Sequence, residues 1–225
     1  MRRALLFAAG KGERLRPLTA HLPKALVEVG GEPLLFRHLA ALKKAGFEQV
    51  VINLSHLGEQ IRTAVGSVER WGMQVQFSDE GPEPLETGGG MLQALELLGT
   101  DEAFAAINAD IYTDFDFARL RAHPQALAHL VLVPNPEHNR RGDFALEDGQ
   151  VLSVAAGRVT FAGIGAYQPE FISGYKPGPF KLAPVLRTAI SHRQVSGEFH
   201  EGIWIDIGTL ERLQQADALA RGASD

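Results

Sequence analysis

The stretch ALLFAAGKGERLRPLT, residues 4–19, joins a short apolar run to a loop that carries glycines and cations. Residues 4–9 are typical of a buried β-strand because the run is short, continuous and apolar. Gly10 and Gly12 then let the backbone come close to phosphate oxygens, and successive N–H groups in such a loop form an anion-binding nest. The stretch therefore predicts an α/β protein with a phosphate site after its first strand.

The loop matches neither of the two common phosphate-binding motifs. A dinucleotide-binding fingerprint would have glycine at position 15, where this chain has Leu15, and a P-loop needs Gly-Lys-Ser or Gly-Lys-Thr, which is absent. Cations are present instead, and fixed cations stabilise the charge that develops when a triphosphate loses pyrophosphate. For the loop in isolation, a solvated basic surface is the alternative. The cations are Lys11, Arg14, Arg16 and Lys24.

Beyond the loop, short apolar runs alternate with longer helical patterns, which is typical of βαβ units and a mainly parallel sheet. From about residue 134 to residue 180 the pattern loosens into hairpin-like pieces. We therefore expect one domain over residues 1–225, with a Rossmann-like, mainly parallel mixed sheet flanked by helices and a small β-rich insertion. The predicted strands are residues 49–53, 74–78, 103–108, 128–133 and 202–207, the helices are residues 34–45, 57–65, 91–98, 182–191 and 209–220, and the hairpin-like pieces are residues 143–146, 151–154 and 159–167.

The composition argues against several classes of protein. Of the 225 residues, 45% are hydrophobic, which is enough for one full core. The formal net charge of -5 argues against a nucleic-acid-binding protein, which normally carries a basic face. The absence of cysteine excludes disulfides, thiolate nucleophiles and cysteine-ligated zinc. There is no apolar window of about 20 residues, so we expect no membrane span and a cytoplasmic protein.

Two aspartates lie at the ends of predicted strands. Asp110 follows the apolar run of residues 103–108, and Asp206 lies in the stretch GIWIDIGT. In α/β sheets, ligands gather outside the carboxyl ends of the strands, and Mg²⁺ takes one or two carboxylates together with phosphate oxygens and water. The two aspartates therefore predict a magnesium site beside a triphosphate. The alternative is that each is a turn or capping residue, with Asp206 capping the last helix.

The stretch LETGGG, residues 85–90, precedes the predicted helix of residues 91–98. Three glycines before a helix let a flat nucleobase lie against the backbone, with N–H groups available for hydrogen bonds. A flexible loop is the alternative interpretation. The stretch is therefore a candidate for recognition of a nucleobase.

The string AAGKGERLRPLT, followed by PKALVEVGGEPLL, resembles the signature of the sugar nucleotidyltransferase family. The resemblance implies the nucleotidyltransferase GT-A-like fold, with Arg16 and Lys24 as the triphosphate-binding and catalytic cations. Asp110 and Asp206 match the two metal-binding aspartates of the family, usually found in N-G-D and W-x-D-x-G-T, although Ala109 replaces the glycine here. The implied nucleotide-binding residues are Ala9, Gly10, Gly12, Glu13, Arg14, Lys24, Glu80 and Gly88.

Within that family, LETGGG together with GDF (142–144), FKLAPVL (180–186) and VSGE (195–198) resembles the N-acetylmuramate 1-phosphate uridylyltransferases of peptidoglycan recycling. The resemblance extends from residue 3 to about residue 220. It implies transfer of UMP from UTP to a sugar 1-phosphate, N-acetylmuramic acid α-1-phosphate, with Mg²⁺ as the cofactor and a UDP-sugar and pyrophosphate as products. The implied sugar-binding residues are Asn108, Asp143, Lys181 and Glu198.

The expected partners are these two small substrates, with no nucleic acid and no membrane, and the chain is expected to be a monomer or a weak homodimer. Residues 1 to about 133 form the expected nucleotide-binding half, and residues 134–225 the sugar-binding half. Catalysis is expected to need no general base, since the attacking phosphate oxygen is already an anion.

Three alternatives stay open. The first is guanylyl or thymidylyl transfer to a mannose-, heptose- or glucose-type 1-phosphate. The second is a non-catalytic sensor of nucleotide sugars. The third is a dinucleotide-dependent oxidoreductase, which Leu15 disfavours because the fingerprint of that class has glycine there.

Overall fold

A computed structural model of the protein describes residues 1–66, 68–122, 126–153 and 156–222. Within these residues, a nine-stranded sheet forms the centre of the molecule, and two further sheets have two strands each. The strands are β1 (Arg3–Phe7), β2 (Glu28–Val29), β3 (Glu32–Pro33), β4 (Gln49–Leu54), β5 (Gln74–Asp79), β6 (Phe104–Asn108), β7 (Ile111–Thr113), β8 (Ala128–Val133), β9 (Ala145–Glu147), β10 (Gln150–Leu152), β11 (Thr160–Tyr167), β12 (Val195–Phe199) and β13 (Trp204–Asp206).

The large sheet has the strand order β5-β4-β1-β6-β11-β8-β12-β10-β9. Strands β5, β4, β1 and β6 pair in parallel, and β11 runs antiparallel to both of its neighbours. Strand β12 is parallel to β8, and β10 is antiparallel to β12 and β9. All of the sheet's strands except β11 and β10 therefore run in one direction. The expectation of a mainly parallel mixed sheet is confirmed.

Five α-helices in the described part of the chain pack around the sheets. Their apolar side chains recur at helical spacing, so each helix has one face that can be buried. A proline precedes the first of them at Pro33, where its fixed φ suits entry into a helix. The helices are α1 (Leu34–Lys44), α2 (Gly58–Val65), α3 (Glu86–Leu98), α4 (Leu182–Ser191) and α5 (Leu210–Ala220).

Successive residues of β1 point to opposite faces of the sheet, and they enter two different hydrophobic cores. Ala4 and Leu6 pack in the core that contains apolar residues of α1 and α2. Leu5 packs in the core that contains apolar residues of α3 and α4. The central strand is buried on both sides, as its continuous apolar run predicts.

The structure differs from the sequence-based expectation in several places, and the short strands β2, β3 and β7 are among the elements not predicted. Helix α3 begins at Glu86, five residues before the predicted start at residue 91, so the three glycines are helical. Strand β12 is not predicted, because its sequence VSGEF has a glycine and no continuous apolar run. The predicted piece at residues 151–154 ends on residue 154, which lies outside the described residues, and the strand there is β10.

Two short strands place the two aspartates side by side. Strand β7 pairs with β13 in an antiparallel ladder that sets Asp206 opposite Ile111. The amide of Ile207 also donates to the carbonyl oxygen of Asp110 at 2.8 Å.

No helix among the described residues is long and apolar enough to cross a membrane.

Candidate functional site

A cavity of about 700 Å³ opens at the carboxyl ends of β1, β4 and β6. This is the edge of an α/β sheet at which ligands bind, because the loops that follow the strands meet there. It is bordered by the phosphate-loop stretch, by the segment after β6 and by the start of α3. The lining residues include Ala9, Gly10, Lys11, Gly12, Glu13, Arg14, Lys24, Asn53, Glu80, Asn108 and Asp110.

The loop after β1 presents its backbone to this cavity. Between Ala9 and Gly12, no backbone N–H donates to a backbone oxygen of the described residues. Gly12 has a φ of 63°, and a Cβ there would lie 3.0 Å from Thr19 and 3.2 Å from Lys24, so glycine lets the loop pack closely. The buried side chain of Leu15 anchors the end of the loop. Free amides on an anchored loop are suited to an anion.

The cations of the sequence motif are divided between the cavity and solvent. Lys11, Arg14 and Lys24 line the cavity. The side chain of Lys24 forms an ion pair with the carboxylate of Asp110. Arg16 is exposed and lies outside the lining residues, because the chain turns away at the end of the short helix formed by residues 13–15. The structure does not bring Arg16 together with Lys24 at the cavity.

Asp206 does not itself line the cavity, but the turn that follows it reaches the same region. Gly208 lines the cavity. A Cβ on Gly208 would lie 3.0 Å from the guanidinium of Arg14, so the turn packs against the phosphate loop. The Oδ1 atom of Asp206 accepts from Arg212 at 2.5 Å and lies 3.1 Å from Nε2 of His138. Each aspartate carboxylate therefore has a cationic neighbour on its own side of the cavity.

The donor set of the two aspartates fits a hard divalent cation. Within the described residues no group of three or more His, Cys, Asp or Glu residues could hold a metal ion. Asp110 and Asp206 supply two carboxylates from adjacent backbones. Mg²⁺ takes one or two carboxylates and completes its shell with water and phosphate oxygens, so two are sufficient.

A buried hydrogen-bond network links the phosphate loop to the base side of the cavity. The side chain of Asn53, 2% exposed, accepts from the amide of Ala8 at 2.5 Å and donates to Oε1 of Glu80 at 2.5 Å. The other carboxylate oxygen of Glu80 accepts from the amide of Leu85 at 2.7 Å. Burial raises the pKa of Glu80, and the hydrogen bonds from Leu85 and Asn53 act in the opposite direction. Asn53 is not among the residues predicted from the sequence, where its only signal is a single amide at the end of an apolar run.

The glycines of α3 make close packing contacts. Gly88 donates its amide to the carbonyl of Phe180 at 2.9 Å, and a Cβ there would lie 2.5 Å from the Phe180 ring. A Cβ on Gly90 would overlap Oε1 of Glu80. Gly88 is thus outside the residues that line the cavity, while Glu86 and Thr87 line it. The structure does not bring Gly88 to the cavity, because its amide is already bonded.

A second cavity, of about 250 Å³, adjoins the first. The two share the lining residues Phe7, Thr87 and Asn108, so they are direct neighbours. Asp143 lines the second cavity, and its Oδ2 atom accepts from the amide of Phe161 at 2.9 Å. The remaining lining residues are Ala106, Phe144, Phe161, Gly163, Tyr167, Leu182, Ala183, Leu186 and Arg187.

Two residues expected at the sugar site lie elsewhere. Lys181 is exposed at the start of α4 and lines neither cavity. Glu198 forms an ion pair with Arg119 and also lies outside both sets of lining residues. The cation that does line the second cavity is Arg187, which the sequence analysis does not identify. Its signal is its place four residues after Ala183, on one stripe of α4.

Comparisons with known proteins identify the family of the chain. A family model described as nucleotidyl transferase matches residues 3–148. The N-acetylmuramate alpha-1-phosphate uridylyltransferase of Neisseria meningitidis serogroup B is 45% identical, over 97% of this chain and 98% of that protein. A protein of the same name from Caulobacter vibrioides is 32% identical, over 96% and 95%.

The likeness extends to a solved structure. A Bacillus anthracis protein, provisionally assigned as a glucose-1-phosphate thymidylyltransferase, matches with a TM-score of 0.86 at 19% identity, over 99% of this chain and 96% of that one. That match shows the shared fold, and the family model and the two relatives confirm the resemblance seen in the sequence. The chain belongs to the nucleotidyl transferase family, among the sugar-1-phosphate nucleotidyltransferases and close to the N-acetylmuramate alpha-1-phosphate uridylyltransferases.

Proposed function

We propose that this chain transfers UMP from UTP to N-acetylmuramic acid α-1-phosphate and releases pyrophosphate, acting in the cytoplasm in peptidoglycan recycling. The observation that carries the proposal is that two cavities adjoin: one lined by free loop amides and cations, the other by Asp143 and mostly apolar side chains. The full-length likeness to two N-acetylmuramate alpha-1-phosphate uridylyltransferases supports the choice of base and sugar.

In this proposal the triphosphate lies against the loop after β1. The amides from Ala9 to Gly12 would bind phosphate oxygens, and Lys11 and Arg14 would neutralise their charge. Glu80 would lie at the uracil end of the cavity, on a carboxylate held in place by Asn53 and the amide of Leu85. Arg16 and Gly88, which lie outside the cavity lining, have no contact role in this proposal.

The sugar 1-phosphate would lie across the boundary between the cavities. Asn108 lines both and is placed to contact the phosphate or the sugar hydroxyls. The carboxylate of Asp143 has one oxygen fixed by the amide of Phe161 and by Asn139, so its other oxygen would accept from a sugar hydroxyl. The first half of the chain would thus bind the nucleotide and the second half the sugar.

Members of this family generally use a divalent metal ion, and Asp110 and Asp206 would hold it here as Mg²⁺. The ion would supply charge neutralisation on the phosphate oxygens. Lys24, which is ion-paired with Asp110, would add a positive charge at the same place. No third acidic ligand is needed, because substrate oxygens complete the shell.

The reaction would be an in-line displacement at the α-phosphorus of UTP. An oxygen of the sugar 1-phosphate forms the new P–O bond, and the bond to the bridging oxygen of pyrophosphate breaks with its electrons leaving on pyrophosphate. The attacking phosphate has a second pKa of about 6, so it is already an anion near neutral pH. The residues of the chain therefore contribute positioning and charge neutralisation, and no side chain has to remove a proton.

The test is pyrophosphate release with purified protein and Mg²⁺, across UTP, GTP and dTTP and a panel of sugar 1-phosphates. The panel contains N-acetylmuramic acid, N-acetylglucosamine, glucose, mannose and heptose 1-phosphates. We expect the highest kcat/KM for UTP with N-acetylmuramic acid α-1-phosphate. A higher value for GTP or dTTP, or for a mannose-, heptose- or glucose-type sugar, would replace the proposal by that alternative. Nucleotide-sugar binding without any turnover would support a sensor.

A further inference from the structure

The second cavity has one cationic side chain that has no role in the proposed reaction steps. Arg187 is the one cation among the described residues that line this cavity. Its guanidinium makes no hydrogen bond or ion pair with any described part of the chain, and the side chain is exposed. By contrast, Lys24 and Arg212 are each paired with an aspartate. Arg187 is therefore available to a ligand.

Helix α4 places Arg187 at the cavity by its spacing. Leu182 and Leu186, four residues apart, are buried and line the cavity, and Ala183 and Arg187 form the next stripe of the same face. The rest of the lining is mostly apolar, with the ring of Phe144 and the buried Tyr167, and its polar side chains are those of Thr87, Asn108 and Asp143.

The position of Arg187 separates it from the reacting phosphates. It lines the second cavity and not the first, whereas Lys11, Arg14 and Lys24 line the first and not the second. The phosphate charges of both substrates are thus served by other cations. A cation at the sugar end of the site could form an ion pair with a sugar that itself carries a negative charge.

N-acetylmuramic acid is N-acetylglucosamine with a lactic acid joined to its 3-oxygen, so it carries a carboxylate at a distance from its 1-phosphate. Asp143, also in the second cavity, is acceptor-only when ionised and would repel that carboxylate. A guanidinium fits it, since its planar N–H fork matches the two carboxylate oxygens.

We propose that the guanidinium of Arg187 binds the lactyl carboxylate and selects N-acetylmuramic acid 1-phosphate over sugars that lack an acid. This inference rests on the proposed function and names the group that gives it its sugar specificity. Asp143 accepts from a hydroxyl of the sugar ring, and Arg187 donates to the acid. The apolar side chains between them cover the faces of the ring.

The first experiment compares Arg187→Gln with the wild type on two substrates, N-acetylmuramic acid 1-phosphate and N-acetylglucosamine 1-phosphate. We expect the ratio of kcat/KM values between the two to fall about 10- to 100-fold, the size of a charge-assisted hydrogen-bonded pair. Arg187→Lys keeps the charge without the fork and should keep part of the preference. The control is Arg193→Gln, the same exchange just after α4 at an exposed site that lines neither cavity.

The second experiment removes the charge from the ligand. The methyl ester of the lactyl group should cost the wild type about as much as Arg187→Gln costs with the free acid. The variant should lose little more with the ester, because the interaction is already gone. Equal losses on both sugars, or additive losses from ester and variant, would overturn the role of Arg187.

The two proposals fail in different ways. A wild type that works with UTP on an uncharged sugar and not on N-acetylmuramic acid 1-phosphate contradicts the proposed function itself. A wild type that prefers N-acetylmuramic acid 1-phosphate, together with an Arg187→Gln variant that keeps the preference, contradicts only the inference about Arg187.

Discussion

Asn53→Asp exchanges an amide for a carboxylate at the centre of the network that joins β1 to the base side of the nucleotide cavity. The oxygen that accepts from Ala8 is kept, and the nitrogen that donates to Glu80 becomes an oxygen. Two carboxylates would then meet in a buried position, where the original contact measures 2.5 Å. The perturbation removes no volume, so its effect reports on polarity alone.

The magnitude follows from the distance. Two unit charges 2.5 Å apart repel by about 7 kcal/mol at an effective dielectric constant near 20. Alternatively, one of the two carboxyl groups takes up a proton. Its ordinary pKa is about 4, so protonation at pH 7.5 costs about 5 kcal/mol, which is less than the repulsion. The folded variant therefore binds a proton that its unfolded state does not, so it should lose about 5 kcal/mol at pH 7.5. Because the folded-state pKa is raised, stability relative to the wild type should recover by about 1.4 kcal/mol per pH unit down to pH 5.5.

The second variant restores the network with the groups exchanged. In Asn53→Asp with Glu80→Gln, the new amide can donate to the aspartate at position 53, and its oxygen can still accept from Leu85. Most of the lost stability should return, without pH dependence. The control is Gln60→Glu, the same exchange at an exposed site on α2. The measurement is the free energy of unfolding from urea titrations followed by circular dichroism at pH 7.5 and 5.5. A single variant as stable as the wild type at both pH values, or a double variant no better than the single, would refute the reasoning.

Three further predictions concern neighbouring positions. Asp110→Asn should lower kcat about a hundred- to a thousandfold with the circular dichroism spectrum retained, and near-wild-type pyrophosphate release would remove its assigned role. Gly90→Ala should destabilise the protein by about 1–3 kcal/mol although alanine favours helices, because the new Cβ would overlap Glu80. The control is Gly174→Ala, whose new Cβ would have nothing within 4 Å and should leave the melting temperature nearly unchanged. Burial lowers the pKa of His38 from 6.5 to about 4, so the unfolded state takes up a proton first as the pH falls. The free energy of unfolding should therefore fall by about 3 kcal/mol between pH 6.5 and pH 4. In urea titrations at several pH values, His38→Leu should lack this part of the pH dependence, and an unchanged pH dependence would contradict the prediction.

The sequence by itself determined the parts of this protein that depend on neighbours along the chain. A continuous apolar run predicts the buried strand β1, and the glycines that follow predict a loop with free amides. The helical spacing predicts α1 and α4 to within a residue or two at each end. Lys24 and Asp110 lie in contiguous motifs of the family, so they too could be named as candidates before the structure.

The tertiary structure alone decided which distant residues meet. Strand β11 lies between β6 and β8, and the pairing of β7 with β13 sets Asp206 opposite Ile111; neither follows from the pattern of one strand. Such pairings depend on how whole elements bury their apolar faces, and the sequence of one strand does not specify the strand with which it pairs.

The direction of individual side chains was decided in the same way. Arg16 belongs to the cationic motif and yet points to solvent, while Arg187 belongs to no recognised motif and lines the second cavity. Asn53 reads as one amide at the end of an apolar strand, and the fold makes it the link between Ala8 and Glu80. The physical reason is that a side chain's surroundings are fixed by the packing of several elements at once, and that packing exists only when the chain is folded.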